Sequence, residues 1–209
     1  MHGGRVWQPR LKGIAQMNFN FSRMFDIATC YSGRFSRVGL WLAAALSLAG
    51  CATPPATRTV AHVDLDRYLG RWYVIANVPY ALERGKVASY DTYARRPDGR
   101  LDNIFTFRKG TITAPEKSWH GVAWVVDHKS NATWHVRFIW PFYATYLVLD
   151  LDPDYQWAVV GTPQHRLMWV LARQRQLDDA TYATILRRIA AEGVDTNRLV
   201  RVPQPVAAP

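Results

Sequence analysis

From residue 72 onward, short apolar or aromatic runs alternate with polar side chains and are cut at regular intervals by turn-forming residues. The runs at 72–78, 89–94, 101–108, 121–128, 133–139, 144–150, 156–161 and 167–173 are rich in the β-branched and aromatic residues expected of strands. Pro97-Asp98-Gly99, Ala114-Pro115, Lys129-Ser130-Asn131, Asp152-Pro153-Asp154 and Thr162-Pro163-Gln164 fall between them as turn signals. The alternation is plainest where Trp134, Val136 and Phe138 share one face while His135, Arg137 and Ile139 share the other. Short strands joined by tight turns favour an antiparallel up-and-down order, and eight of them can close a barrel that holds one small ligand. The predicted fold class is therefore all-β, an eight-stranded barrel.

The period changes at two places. A short helical turn is predicted at 65–69, just before the first strand. After the last strand, Tyr182, Ile185, Leu186 and Ile189 fall on one face at helical spacing, with Arg187 and Arg188 displaced from it. Asp178 or Asp179 can cap this helix and Gly193 can stop it. A helix with one apolar face in that position is expected to lie against the outside of the sheet.

The N-terminal part reads differently. Arg34 and Arg37 precede VGLWLAAALSLAG, an uncharged run that ends in small side chains at Gly50 and Cys51. Basic, apolar and small-residue regions in that order read as a secretory signal, and the run is shorter than the roughly 20 apolar residues needed to span a bilayer. Met17 and Met24 are alternative starts to Met1. The chain thus divides into a removable segment at 1–50, a Pro/Thr-rich tether at 51–63 and one globular domain at 64–205. Extended, the tether reaches roughly 40 Å from Cys51 to Asp64.

Charge changes less than the total suggests. The formal net charge is +10, but 1–50 alone contributes +5, from Arg5, Arg10, Lys12, Arg23, Arg34 and Arg37 against Asp26. The remainder is scattered among acids rather than gathered into a stripe, so a nucleic-acid partner is not expected. Cys30 and Cys51 are the 2 cysteines, and cleavage before Cys51 leaves one thiol and no intrachain disulfide. The aromatic share is 13%. Phe138, Tyr143, Tyr146, Trp157 and Trp169 are the candidate ligand-contacting residues, although ordinary core packing explains such aromatics equally simply in a barrel whose inner face is both core and pocket.

Two resemblances follow from these motifs. Leu48-Ala49-Gly50-Cys51 resembles the lipobox of bacterial lipoproteins, which implies cleavage between Gly50 and Cys51, acylation of Cys51 and an anchor of several acyl chains. With Ala52 next, export to the outer membrane is implied, with the domain facing the periplasm. Gly70-Arg71-Trp72-Tyr73, Glu83-Arg84-Gly85, Pro141-Phe142-Tyr143 with the residues behind it, and Trp169-Val170-Leu171-Ala172-Arg173 together resemble the lipocalins, specifically the bacterial outer-membrane subgroup related to apolipoprotein D. The resemblance spans about residues 64–205 and implies storage or transport of fatty acids or lysophospholipids. It also implies structural roles for Gly70, Trp72 and Arg173, with the arginine packed over the tryptophan. A cation stacked there is worth about 0.5–2 kcal/mol.

Arg84, Lys86 and Arg137 are candidates to meet an anionic head group, or are simply solvated charges. No nucleophile elbow, phosphate loop or dinucleotide fingerprint is present in the sequence. His62, His120, His128, His135 and His165 show no metal-ligand spacing, and Asp150, Asp152 and Asp154 read as a solvated turn rather than a calcium loop. No catalytic residue, metal or cofactor is expected. The rival readings are a lipocalin-fold enzyme acting on a lipid or isoprenoid, and an envelope adaptor that pairs through its aromatic surface, a homodimer included.

Overall fold

Short connections favour pairing of each strand with the next, and the computed structural model, which describes residues 57–205, shows that order. The strands are β1 (Gly70–Asn77), β2 (Lys86–Arg95), β3 (Leu101–Lys109), β4 (Lys117–Val125), β5 (Thr133–Ile139), β6 (Phe142–Leu151), β7 (Trp157–Gly161) and β8 (Met168–Ala172). Each is antiparallel to the next, and β1 closes the barrel by pairing with both β2 and β8. A ninth strand, β9 (Val200–Arg201), pairs with Ala76 and Asn77 outside the closed ring. Its two residues carry no periodicity, so the sequence did not reveal it.

The predicted strands agree with the observed ones except at their ends. The largest difference is in β4, expected from Gly121 but starting at Lys117. Glycine there is a matter of room rather than of turning: a Cβ on Gly121 would meet the Phe138 ring at 2.8 Å. Register shifts interrupt β1 between Val74 and Ala76, β2 between Val87 and Tyr90, β5 between Val136 and Ile139, and β6 between Val148 and Asp150. Each bulge changes which side chains face inward.

Two apolar layers result. Trp72, Val74, Tyr93, Phe105, Phe107, Trp134, Val160 and Leu171 belong to the inner one, and Ile75, Trp157, Val159, Met168 and Val170 to the outer one. The outer layer is covered by α2 (Asp179–Ala191), which buries Ile185 and Ile189. Asp178 caps it by accepting from the Thr181 N–H at 2.8 Å, and Gly193 ends it with φ +82° while Val194 N–H bonds the Ile189 carbonyl. Arg188 on this helix reaches Asp150 with two nitrogens, each at 2.7 Å. Its guanidinium also lies over the Trp157 ring. Arg188→Ala is expected to cost about 1 kcal/mol in urea unfolding, because a forked pair on a largely enclosed carboxylate exceeds an ordinary surface pair.

The opening turn is α1 (Leu65–Tyr68), capped by Asp64, whose carboxylate accepts from Asp66 and Arg67 N–H. Residues 57–63, predicted as tether, instead form a strap on the barrel. Gln164 N–H donates to Thr57 Oγ1 at 2.9 Å, Val60 N–H to the Val148 carbonyl at 3.0 Å and Val63 N–H to the Ser130 carbonyl at 2.7 Å. Val63 is fully buried. The backbone finds partners on the barrel, and Val60 and Val63 find apolar surface, so the strap belongs to the domain. No helix among the described residues is long and apolar enough to cross a membrane.

Candidate ligand-binding site

Alternate strand ends define two ends of the barrel. The turns 78–85, 110–116, 140–141 and 162–167 ring one end, the mouth, while α1 and the remaining turns close the other. At the closed end Trp72 is fully buried and donates its indole N–H to the Tyr68 carbonyl at 2.7 Å. The Arg173 guanidinium lies 3.8 Å from the Trp72 ring centroid. It also donates to the carbonyls of Tyr155, Arg71 and Arg67. Gly70, at φ +91°, lets β1 start beside this arginine. The stack expected from the family resemblance is thus present, and it ties α1, β1 and the β6–β7 turn to the last strand.

Above this plug sits an aromatic floor. Tyr68, Tyr93, Trp134 and Tyr146 are in contact, with Trp134 and Tyr146 stacked at 5.3 Å and Tyr68 edge-on to Trp134 at 5.2 Å. Their polar tips are satisfied within the cluster. The Tyr146 hydroxyl meets those of Tyr68 at 3.0 Å and Tyr93 at 3.2 Å, and Trp134 Nε1 donates to the Asn131 carbonyl. Burial pushes all three phenols above their ordinary range, so they act as neutral hydrogen-bonding groups.

Two acids face the same interior. Asp91 stands opposite Trp72 on one neighbouring strand and Phe105 on the other, and accepts from Asn103 Nδ2 at 3.0 Å. Burial raises it to about 7, with the Asn103 bond pulling the other way. Nearer the mouth, Glu83 accepts from Asn77 at 2.6 Å, Trp169 Nε1 at 2.9 Å and the Tyr80 hydroxyl at 3.3 Å. Burial raises this carboxyl as well, against those three bonds. Neither acid stood out in the sequence as an interior group. Asp91 shares the phase of Tyr93 along its strand, which is the signal that could have exposed it.

The aromatic candidates divide by face. Tyr146 lies in the floor, Trp169 in the upper wall with Glu83, and Phe138 folds inward over Gly121 against Trp119 at 6.5 Å. Tyr143 instead stacks on His135 at 4.2 Å and contacts Trp124, on the outer surface. Trp157 is in the outer layer beneath α2. These two positions correct the expectation that all five line one pocket: Trp157 opposes Ala172, and both alternate out of phase with the inward Ala158 and Leu171. Of the basic candidates, Arg137 lies over Trp124 on the outside and Arg84 is exposed. Lys86 alone bends over inner-wall rings at the mouth.

A hollow of about 420 Å³ outside the barrel, between the strap, α2 and β6–β8, is rimmed by Arg58, Asp150, Arg188 and Glu192. These charges pair with one another, Arg58 with Glu192 at 3.6 Å and Arg188 with Asp150. The hollow is thus a packing seam whose rim charges are paired with one another. Asp152 is likewise engaged, accepting from the N–H groups of Asp154 and Gln156 within its own turn. No group of three possible metal ligands occurs among the described residues. Gly50 and Cys51 lie outside the described residues.

A closed eight-stranded barrel with an enclosed aromatic floor, a few polar groups on its inner wall and a helix against its outer face defines a ligand-binding β-barrel. Residues 63–204 match the family model described as a lipocalin-like domain, and the chain belongs to the lipocalin family. It is 35% identical over 170 residues to the outer membrane lipoprotein Blc of Citrobacter freundii, an alignment covering 78% of this chain and 94% of that one. The outer membrane lipoprotein Blc of Escherichia coli K12 is 34% identical, over 78% of this chain and 93% of that protein. Apocrustacyanin C2 has the same fold at a TM-score of 0.56 and 12% identity, covering 75% of this chain and 95% of that structure.

Proposed function

We propose that the protein is a lipid-binding lipoprotein of the bacterial outer membrane that stores or transports fatty acids or lysophospholipids in its barrel. The observation that carries this reading is the inner wall itself: Phe138 and Trp169 stand near the mouth, Trp134 and Tyr146 form the floor, and Val74, Phe105, Phe107, Val160 and Leu171 belong to the same apolar layer. A dozen methylenes sheltered there gain roughly 10 kcal/mol gross. Association and ordering costs remove several of these. The similarity to outer membrane lipoproteins over most of the chain supports the membrane assignment.

Cys51 is the residue that receives the anchor, after cleavage behind Gly50, and the barrel then faces the periplasm. Cys51→Ser is expected to leave an unprocessed or soluble protein. Fractionation of that variant with the outer membrane at wild-type levels would sink the anchor. For the ligand, delipidated protein titrated with a panel of fatty acids and lysophospholipids is expected to bind them with micromolar or tighter dissociation constants, losing about tenfold or more when Trp169 or Tyr146 becomes alanine. Failure of every chain-bearing probe to bind would remove the reading. The exposed β5–β6 tip, with Trp140 and Phe142 at 79% and 75% exposure, supports a second reading as a surface that pairs with another copy. Native mass spectrometry distinguishes bound lipid from an empty dimer.

A further inference from the structure

Among the described residues, Lys86 makes no ion pair. Its ammonium donates to the Leu82 carbonyl and otherwise rests on aromatic faces. It lies 3.3 Å from the Trp119 ring centroid, 4.3 Å from that of Phe107 and 5.7 Å from that of Phe105. The three rings support one another: Phe105 stacks on Phe107 at 5.4 Å and Trp119 meets Phe107 edge-on at 5.2 Å. Phe105 and Phe107 are buried, whereas Trp119 is 36% exposed, so the cluster is fixed from behind and open toward the mouth. Several rings around one cation is the arrangement by which proteins recognise ammonium and quaternary ammonium ligands.

We propose that Phe105, Phe107 and Trp119 form a head-group subsite for an ammonium-bearing lipid, and that Lys86 occupies it in place of the ligand's own cation. The inference rests on the lipid-binding reading and narrows it to a head-group class. The charges around the cage are mixed. The Glu83 carboxyl at the mouth and the Asp91 carboxyl, opposite Phe105 in the strand register, favour a cation, whereas Lys109, opposite Lys86, and Lys117, opposite Phe107, favour the phosphate beside it. Burial lowers Lys86 from its ordinary value, with Lys109 acting the same way and Glu83 opposing it. When a ligand ammonium enters the cage, the flexible Lys86 stem lets its own ammonium swing toward the phosphate, which in such head groups is only a short ethylene spacer away.

The test is calorimetry on the full chain, delipidated, with three probes of one chain length: myristoyl lysophosphatidylcholine, myristoyl lysophosphatidylglycerol and tetradecyltrimethylammonium. The wild type is expected to bind the choline lipid about three- to tenfold more tightly than the glycerol lipid. Trp119→Leu keeps an apolar side chain at a half-open site and should abolish that preference by weakening the choline lipid alone. Lys86→Met empties the cage, so it should tighten tetradecyltrimethylammonium and weaken the glycerol lipid. Equal wild-type affinities for the two lysolipids, or equal weakening of both by Trp119→Leu, would overturn the cage while leaving lipid binding intact. Absence of binding by all three probes and by myristate would overturn both.

Discussion

Trp72→Ala is expected to remove about 3–5 kcal/mol of stability and to lower the melting temperature by roughly 10–15 °C, while ligand affinity in the folded fraction changes less than about threefold. The indole is fully enclosed and packed at 4.9 Å against Tyr68, and it is covered by Arg173. Its loss leaves a cavity in the one layer that no neighbouring loop can collapse into, because Tyr68, Tyr93 and Trp134 brace one another. Arg173→Ala should follow with a smaller loss. That variant removes a cation from a ring face and several donors from the carbonyls of Tyr155, Arg71 and Arg67, which lie near enough to the surface to recruit water. Urea unfolding of both variants, alongside titration with one lipid probe, checks the prediction. A large loss of affinity at unchanged stability would show that the plug is part of the ligand site instead.

Asp91 should make the protein less stable as pH rises through the range in which most carboxylates contribute stability. Its folded-state value near 7 lies above the ordinary 3.8. The folded protein therefore binds an extra proton between those limits. Relative to a variant without the carboxyl, wild-type stability is highest below about pH 4, declines as pH rises toward 7 and is flat above it. The full difference corresponds to on the order of 4 kcal/mol, and the partial exposure of Asp91 brings the expected value to about 2–3 kcal/mol. Asp91→Asn retains an oxygen to accept from Asn103 and removes the charge. It should be more stable than wild type at pH 8 by about that amount and equal to it at pH 4. Urea midpoints at the two pH values measure it, and a variant no more stable at pH 8 than wild type would show that the Asp91 carboxylate is well solvated.

The barrel was legible in the sequence because its information is local. Alternation at Trp134, Val136 and Phe138 and the punctuation by Pro, Gly, Asp and Asn are properties of a few neighbouring residues, as are the Asp178 cap and the Ile185–Ile189 stripe. The site was less legible because facing direction is set by pairing. Trp157 and Trp169 are both aromatic residues within predicted strands, yet one lies under α2 and the other bonds Glu83 at the mouth. Four bulges reset the phase, and no residue type announces them. Glu83 and Asp91 were hidden for a related reason. A lone acid in a strand reads as solvent-facing until its cross-strand partners, Trp72 and Phe105 for Asp91, are known. The family resemblance supplied the Trp72–Arg173 pairing, which spacing alone does not contain.

The strap bears on what the proposed anchor at Cys51 would do. If Cys51 carries acyl chains as proposed, the first residue fastened to the barrel is not Asp64 but Thr57, six positions on and at most roughly 20 Å away. Thr57 is fastened to the 162–167 turn, which belongs to the mouth end of the barrel. Such an anchor would therefore act at the rim rather than at the base. With the attachment on that side, the proposed anchor would bias which end of the barrel meets a bilayer, before any contact between barrel and lipid is made.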